Sequence, residues 1–267
     1  MTRICRKSEG LSAEWARFFP QGHLLAGLQP TRCRLDRKQR YCLTLVELAG
    51  LEIPNPAEQP PRQLSRLLSA GELEQLAAFR LDKRRREWLG GRLAGKQAVL
   101  LLTGPGNEAR TISILPDEHG RPCLGTPLPP PVPSLSISHS GAFAVAMASR
   151  SKSCGIDIQE IVPRIDRLAD RIGEPPELAL LAERLSDDTT TCLTMLWAAK
   201  EAVKKSLLSD QSAFFNAIRL REIHRDRTGA LRFHLSCSRQ GKRQATARVP
   251  VHRFAGYILA FTEQDHA

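Results

Sequence analysis

Two carboxylates and a lysine stand where they could do chemistry together. Asp157 lies in Cys154-Gly-Ile-Asp-Ile-Gln-Glu160, a β-type segment in which Asp157 and Gln159 share one face while Ile156, Ile158 and Glu160 share the other. An acid inside an apolar strand is costly to bury unless it is paired or holds a cation. Glu201 and Lys205 lie in Trp197-Ala-Ala-Lys-Glu-Ala-Val-Lys-Lys205, where Trp197, Glu201 and Lys205 recur one helical turn apart with Lys200 alongside. Taken singly, each has an ordinary explanation. Asp157 suits a salt bridge at a strand end, and Glu with Lys four residues on is common on a solvated helix, where it contributes about 0.3 kcal/mol. Taken together, two carboxylates from different elements suit Mg²⁺, which takes hard oxygen ligands and keeps waters for a phosphate-bearing partner.

A third cluster, Leu135-Ser-Ile-Ser-His-Ser-Gly141, gathers three hydroxyls and an imidazole at a strand end. Polar side chains and backbone N–H groups at such a turn can bind phosphate oxygens. A serine-hydrolase elbow needs glycine two residues before the nucleophile, and Ser136 stands there, so that chemistry is excluded. Basic residues are plentiful: 39 Lys and Arg against 28 Asp and Glu give a net charge of +11, which calls for an anionic partner. They concentrate over Arg80–Lys96 and Arg219–Arg253, where most should be solvated, and Arg121 adds a cation at the turn Gly120-Arg-Pro122. Aromatics make up 5% of the chain, and no aromatic-interleaved nucleic-acid module accompanies the basic runs.

The elements that must position these groups follow from pattern. Arg40–Leu48 has strand character, and Ile53–Pro61, with four prolines in nine positions, reads as a surface connection. Ser69 with Glu72 forms a capping box opening a helix, and a second helix spans about Lys83–Leu101. Strand-type stretches follow at Thr111–Leu115, Leu135–Ser138, Ala142–Ala148 and Cys154–Ile158, with a turn at Asp117–Gly120 and a proline-rich loop at Pro127–Pro133. The order then repeats: helices near Pro176–Leu185 and Asp188–Leu207, strands around Phe215–Ile223, Leu231–Cys237 and Phe254–Phe261, and a turn at Asp226–Gly229. Trp88, Arg92 and Lys96 are spaced by four like Trp197, Glu201 and Lys205, at an offset of 197 − 88 = 109, which the turn glycines share, 229 − 120 = 109. The expectation is an α+β fold of two similar halves, residues 1–153 and 154–267. A pseudo-two-fold axis relates them, each is a helix pair on a small mainly antiparallel sheet, and the active site lies in the cleft between.

Seven scattered cysteines without Cys-x-x-Cys argue against a disulfide framework or a zinc site and for a reducing compartment. No apolar run approaches the roughly 20 residues that span a bilayer, and Met1–Gly10 is too polar for a signal peptide, so a cytoplasmic location is expected.

In their order along the chain, Gly91-Arg92, Gly120-Arg121-Pro122, Ser136-x-Ser-His-Ser140, Gly155-Ile-Asp157 and Trp197-x-x-Lys-Glu-Ala-x-x-Lys205 resemble the 4′-phosphopantetheinyl transferases of the surfactin-synthetase-activating type. The resemblance covers about residues 70–206. It implies a monomeric holo-[acyl-carrier-protein] synthase that moves the 4′-phosphopantetheine arm of coenzyme A to a serine of an acidic apo carrier protein, acyl or peptidyl, and releases adenosine 3′,5′-bisphosphate, with neither nucleic acid nor membrane as partner. It further implies that Asp157 and Glu201 hold Mg²⁺ on the pyrophosphate and that Glu201 activates the carrier serine. Lys205, reinforced by Lys200, would neutralise the departing phosphate. Ser138 and His139 would contact coenzyme A phosphates, and Lys83, Arg86, Arg92 and Arg121 would form a basic wall. Where many relatives carry a second carboxylate, this chain has Gln159, which offers the metal a carbonyl oxygen without charge. Two other readings remain open on the residues: a basic non-catalytic module for nucleic acid or an acidic protein, and a coenzyme A-binding relative without turnover.

Overall fold

The computed structural model describes residues 13–25, 29–53, 61–104, 107–125, 128, 130–208, 215–227, 229–238, 244–254 and 256–264. The expectations for Met1–Gly10, for 54–60 of the proline-rich connection, and for Pro127 and Pro129 of the later loop lie outside the described residues. In chain order the elements are α1 (Ala13–Phe18), β1 (Gln21–Leu25), β2 (Gln29–Leu35), β3 (Tyr41–Glu47), α2 (Arg62–Leu67), α3 (Ala70–Ala78), α4 (Asp82–Thr103), β4 (Ile114–Pro116), β5 (Pro122–Leu124), β6 (Ser134–Ser140), β7 (Phe143–Ser149) and β8 (Ser153–Glu160). They continue with α5 (Ala169–Ile172), α6 (Pro175–Arg184), α7 (Thr189–Leu207), β9 (Ile218–Arg225), β10 (Leu231–Cys237), β11 (Ala245–Phe254) and β12 (Tyr257–Gln264), with 3₁₀ turns at Pro163–Leu168 and Phe215–Ala217.

The fold is α+β, and every strand pair among the described residues is antiparallel. One five-stranded sheet has the order β1-β2-β3-β7-β6, a second has β8-β12-β11-β10-β9, and β4-β5 form a separate ribbon. Strand alternation assigns each sheet two apolar faces. In β7, Ala144, Ala146 and Ala148 pack with α4 residues such as Leu89 and Leu93, while Phe143, Val145 and Met147 turn the other way. In β12, Ile258 and Ala260 pack with α7, while Tyr257, Leu259 and Phe261 turn the other way. These opposite faces meet: Val145 and Met147 share a cluster with Ile156, Ile158, Leu259 and Phe261, closed by Trp15, Phe18 and Phe19 at the end of α1. The order is therefore helix, sheet, sheet, helix, and β8 has its isoleucines in the middle layer while Asp157 faces α7.

The two edge strands β6 and β8 run side by side without a ladder. Instead, Ile156 N–H donates to Ser136 Oγ at 3.1 Å and Glu160 N–H to Ser140 Oγ at 3.0 Å, so the β6 hydroxyls satisfy edge groups of β8. A Cβ on Gly155 would overlap the Ala202 carbonyl oxygen, so the close seat of α7 on β8 requires glycine there.

One device secures the helices twice. Glu72, at the third position of α3, accepts from Ser69 N–H at 2.8 Å and Ile114 N–H at 3.0 Å and meets Lys96 of α4 at 2.7 Å. Glu177 of α6 accepts from Glu174 N–H at 3.0 Å and Leu220 N–H at 2.6 Å and meets Lys200 of α7 at 2.8 Å. Each lysine also donates to carbonyls, Lys96 to Ala109 and Ile112, Lys200 to Ile172. Here the two stretches correspond at 200 − 96 = 104 and 177 − 72 = 105, which corrects the offset of 109 for the helices. The offset of 109 holds at the turns, where Gly120 and Gly229 both have positive φ and donate to Asp117 and Asp226. Four further expectations change. β1 and β2 carry no clean period-two pattern, and β11 alternates through Ala247, Val249 and Val251 but is interrupted by Pro250; none of the three is expected as a strand. The strand expected over Thr111–Leu115 shortens to Ile114–Pro116.

Candidate active site

Asp157 occupies the middle of β8, 5% exposed, beneath α7. Its Oδ1 accepts from Ser138 Oγ at 2.7 Å and Lys205 Nζ at 2.8 Å, and Lys205 also donates to the Ile156 carbonyl at 2.9 Å. Its Oδ2 is buried without a hydrogen-bond partner. Burial drives this carboxyl above the usual carboxylate range, Lys205 and Ser138 pull it back, and the Glu201 charge pushes the same way as burial. Two acids that repel each other, one with a buried bare oxygen, leave an oxygen ligand open. The donors are all oxygen, which suits a small hard cation.

Glu201 is partly buried on α7 and meets Lys204 Nζ at 3.3 Å. Glu201, Lys204 and Lys205 line a cavity of about 700 Å³, together with Arg121, Ser136 and Cys123. The Arg121 guanidinium is fixed by Asp117 at 2.5 Å across the Asp117–Gly120 turn. A second cavity of about 510 Å³ shares Gly120, Pro122 and Ile137 with the first and is lined by Arg84, Trp88, Arg92 and His139. Arg92 stacks over Trp88 at 4.6 Å and is lowered to about 10 by burial, so it stays cationic at neutral pH. His139 lies 3.2 Å from Arg84 and 3.8 Å from Glu87, and burial pulls its imidazole below the usual histidine range.

The residues singled out in the sequence separate into three groups. Asp157, Glu201, Lys205 and Ser138 are brought together. Arg121, Arg92 and His139 line the two adjoining cavities. Lys200 is corrected: it is 1% exposed, bound to Glu177 and Ile172, and its charge is spent inside the second half. Lys83 is 86% exposed beside Glu87 at 3.9 Å, and Arg86 has a buried Nε without a partner; neither lines either cavity. Gln159 is partly buried on the same strand face as Asp157. The basic run Arg80–Lys96 is less solvated than its composition suggests, since Arg85, Arg92 and Lys96 are buried. Sequence reasoning passed over Arg84, Trp88 and Lys204. The four-residue spacing of Trp88, Arg92 and Lys96 extends back to Arg84, which the neighbouring arginines obscure.

Comparison with known proteins gives the family. The family described as the 4′-phosphopantetheinyl transferase superfamily matches residues 153–262, which hold Asp157, Glu201 and Lys205. A holo-[acyl-carrier-protein] synthase of Halalkalibacterium halodurans is 36% identical over 91 residues, covering 32% of this chain and 75% of the relative. The chain belongs to the 4′-phosphopantetheinyl transferase superfamily.

Proposed function

We propose that the chain is a 4′-phosphopantetheinyl transferase of the surfactin-synthetase-activating type, taking the arm from coenzyme A and placing it on a serine of an acidic apo carrier protein. The observation that carries this reading is Asp157 with its bare buried Oδ2, repelled by Glu201 and backed by Lys205, behind a cavity lined with Arg121, Lys204 and Lys205. Two similar halves with a pseudo-two-fold relation are supported by the repeated Lys–Glu device, and the domain division near residue 153 by the start of β8.

In this reading the carrier serine oxygen bonds to the phosphorus that bears pantetheine, the bond from that phosphorus to the bridging oxygen breaks, and adenosine 3′,5′-bisphosphate leaves. Glu201 accepts the serine proton, directly or through water. Lys205 and Lys204 face the pyrophosphate, and Ser138 orients Asp157. Arg84, Arg92 and His139 take the nucleotide phosphates in the second cavity. Asp157 and Glu201, with Gln159 beside them, would hold Mg²⁺, which when bound offsets charge on the pyrophosphate. The chemistry needs positioning and charge compensation more than a covalent protein intermediate. A cytoplasmic monomer fits the reading. Among the described residues no helix is long and apolar enough to cross a membrane, and the described cysteines are free.

The test is intact-mass measurement of a panel of apo carrier proteins incubated with the chain, coenzyme A and Mg²⁺. A mass gain equal to the arm is expected on at least one carrier. Coenzyme A bound with no carrier modified would favour a relative without turnover and defeat the proposal.

A further inference from the structure

At the far edge of the second sheet, Glu222 and His224 of β9 and His234 of β10 bring three donor atoms within 4.8 Å of one another. A register irregularity produces this. His234 pairs with Glu222 but Leu235 pairs with Leu220, so Arg221 is the extra residue of a bulge. On one side of the bulge Ile218 and Leu220 point into the core with α7; beyond it the alternation inverts, Ile223 packs inward and Glu222 and His224 turn to the face that carries His234. Both imidazoles approach the same carboxylate oxygen, His224 Nε2 at 2.7 Å and His234 Nδ1 at 3.6 Å from Glu222 Oε2. The rings lie 4.7 Å apart.

We propose that Glu222, His224 and His234 form a binding site for a divalent transition ion of the zinc, nickel or copper class, which fastens the edge strand β9 to β10. Two imidazoles and a carboxylate are the donor set those ions prefer, whereas Mg²⁺ has no use for the nitrogens. All three side chains are at least 30% exposed, so the ion enters from solvent and keeps water in its remaining positions. Arg248 and Arg232 are the cations nearest the His234 ring. Of the two nearby arginines, Arg232 is tied to Asp226 at 3.1 Å. β10 stands three strands from β8, roughly 14 Å at the usual strand spacing, so this ion is separate from the Asp157 and Glu201 site.

The experiment is titration of the full chain with Zn²⁺, followed by isothermal calorimetry, and with Co²⁺, followed by visible absorbance. The wild-type chain and Asp157→Ala are expected to bind one ion at this site with equal affinity. His224→Gln and His234→Gln, both at exposed positions, should each weaken it at least tenfold while their metal-free Tm stays at the wild-type value. The Co²⁺ spectrum should lack thiolate charge-transfer bands. Unchanged affinity in the doubly substituted chain, thiolate bands that locate the ion on cysteine, or loss of the site in Asp157→Ala would each overturn the proposal.

Discussion

The long helices α4 and α7 are built alike and armed differently. Each lies on the outer face of a five-stranded sheet, and each sends one buried lysine to the capping-box glutamate of the shorter helix before it, Lys96 to Glu72 and Lys200 to Glu177. Beyond that shared anchor, α4 presents Arg84, Trp88 and Arg92 with His139 of β6, a surface of cations. α7 presents Glu201 with Lys204 and Lys205 against the acid of β8. Under the proposed function, the first helix would offer charge for phosphates and the second charge for a cation. Structural lysines and site lysines are distinguished by burial: Lys200 is 1% exposed and Lys205 is 27% exposed.

The sharpest break of the comparison is at Asp157, which has only a serine, Ser138, across from it on β6. Asp157→Asn should cost about 10³-fold in carrier modification, or about 4 kcal/mol of transition-state stabilisation, by initial-rate mass assay. It should also raise Tm at neutral pH. The raised acid keeps its proton in the folded chain to a higher pH than in the unfolded one. Its contribution to stability therefore falls as pH climbs from the ordinary carboxylate range to the raised value, and stays low above it. The asparagine chain loses that fall. A Tm unchanged at pH 7.5 and equal in its pH profile to wild type would mean that burial does not dominate this carboxyl.

Lys200 and Lys205 separate anchor from site. Lys200→Met leaves the buried Glu177 charge with only Arg219, 4.0 Å away, so urea unfolding should show a loss of about 3 kcal/mol, with the KM for coenzyme A unchanged in the remaining folded enzyme. Lys205→Met should cost turnover heavily and stability less, because the buried Asp157 it leaves without its cation can keep its proton in the folded chain. Equal stability losses in the two variants would erase the distinction. The same reasoning applies to Lys96→Met in the first half, which should behave like Lys200→Met.

The seam between the sheets supplies a pH test. His252 stacks with Phe254 and Phe261 at 6.0 Å and 5.9 Å and is lowered to about 4, first by burial, then by Arg34 and Arg232. A histidine kept neutral when folded contributes stability that is full above its unfolded value near 6.5 and lost as pH falls through about 4. Wild-type stability should drop by about 2 kcal/mol from pH 7.5 to pH 5 from this residue, somewhat less because the ring keeps some water contact, and His252→Phe should flatten that segment of the urea-midpoint profile. The smallest effect is expected at Arg121, which is 41% exposed and already occupied by Asp117. Arg121→Ala should raise the KM for coenzyme A by about threefold to tenfold with little change in turnover.

What the sequence revealed and what it hid have physical reasons. The sequence placed Asp157 on a strand face and Glu201 and Lys205 on one helix face, which the structure keeps, while their roles came from the order of motifs rather than from spacing. The helix pairs were legible from Ser69 with Glu72 and from the apolar face of α7. Lys200 was misread because a lysine next to a site lysine looks identical in sequence, and its fate was decided by Glu177, 23 positions upstream and not recognisable as a capping residue behind two prolines. The offset of 109 misled for a related reason. Trp88 and Trp197 match in type, but the second half has about five more residues between its lysine anchor and its turn, so only the turn glycines keep that spacing. β11 was hidden by Pro250 and by charged residues on its outward face.

The central claim, that Asp157 and Glu201 serve one divalent ion, is tested most directly by Mn²⁺ binding in the presence of coenzyme A, read by electron paramagnetic resonance in wild type, Asp157→Ala, Glu201→Ala and the double variant. A shared ion predicts at least a tenfold loss of Mg²⁺-displaceable Mn²⁺ affinity in each single variant and little further loss in the double, because the second ligand has nothing left to hold. Losses that simply add, or Mn²⁺ affinity unchanged when either carboxylate is removed, would contradict it.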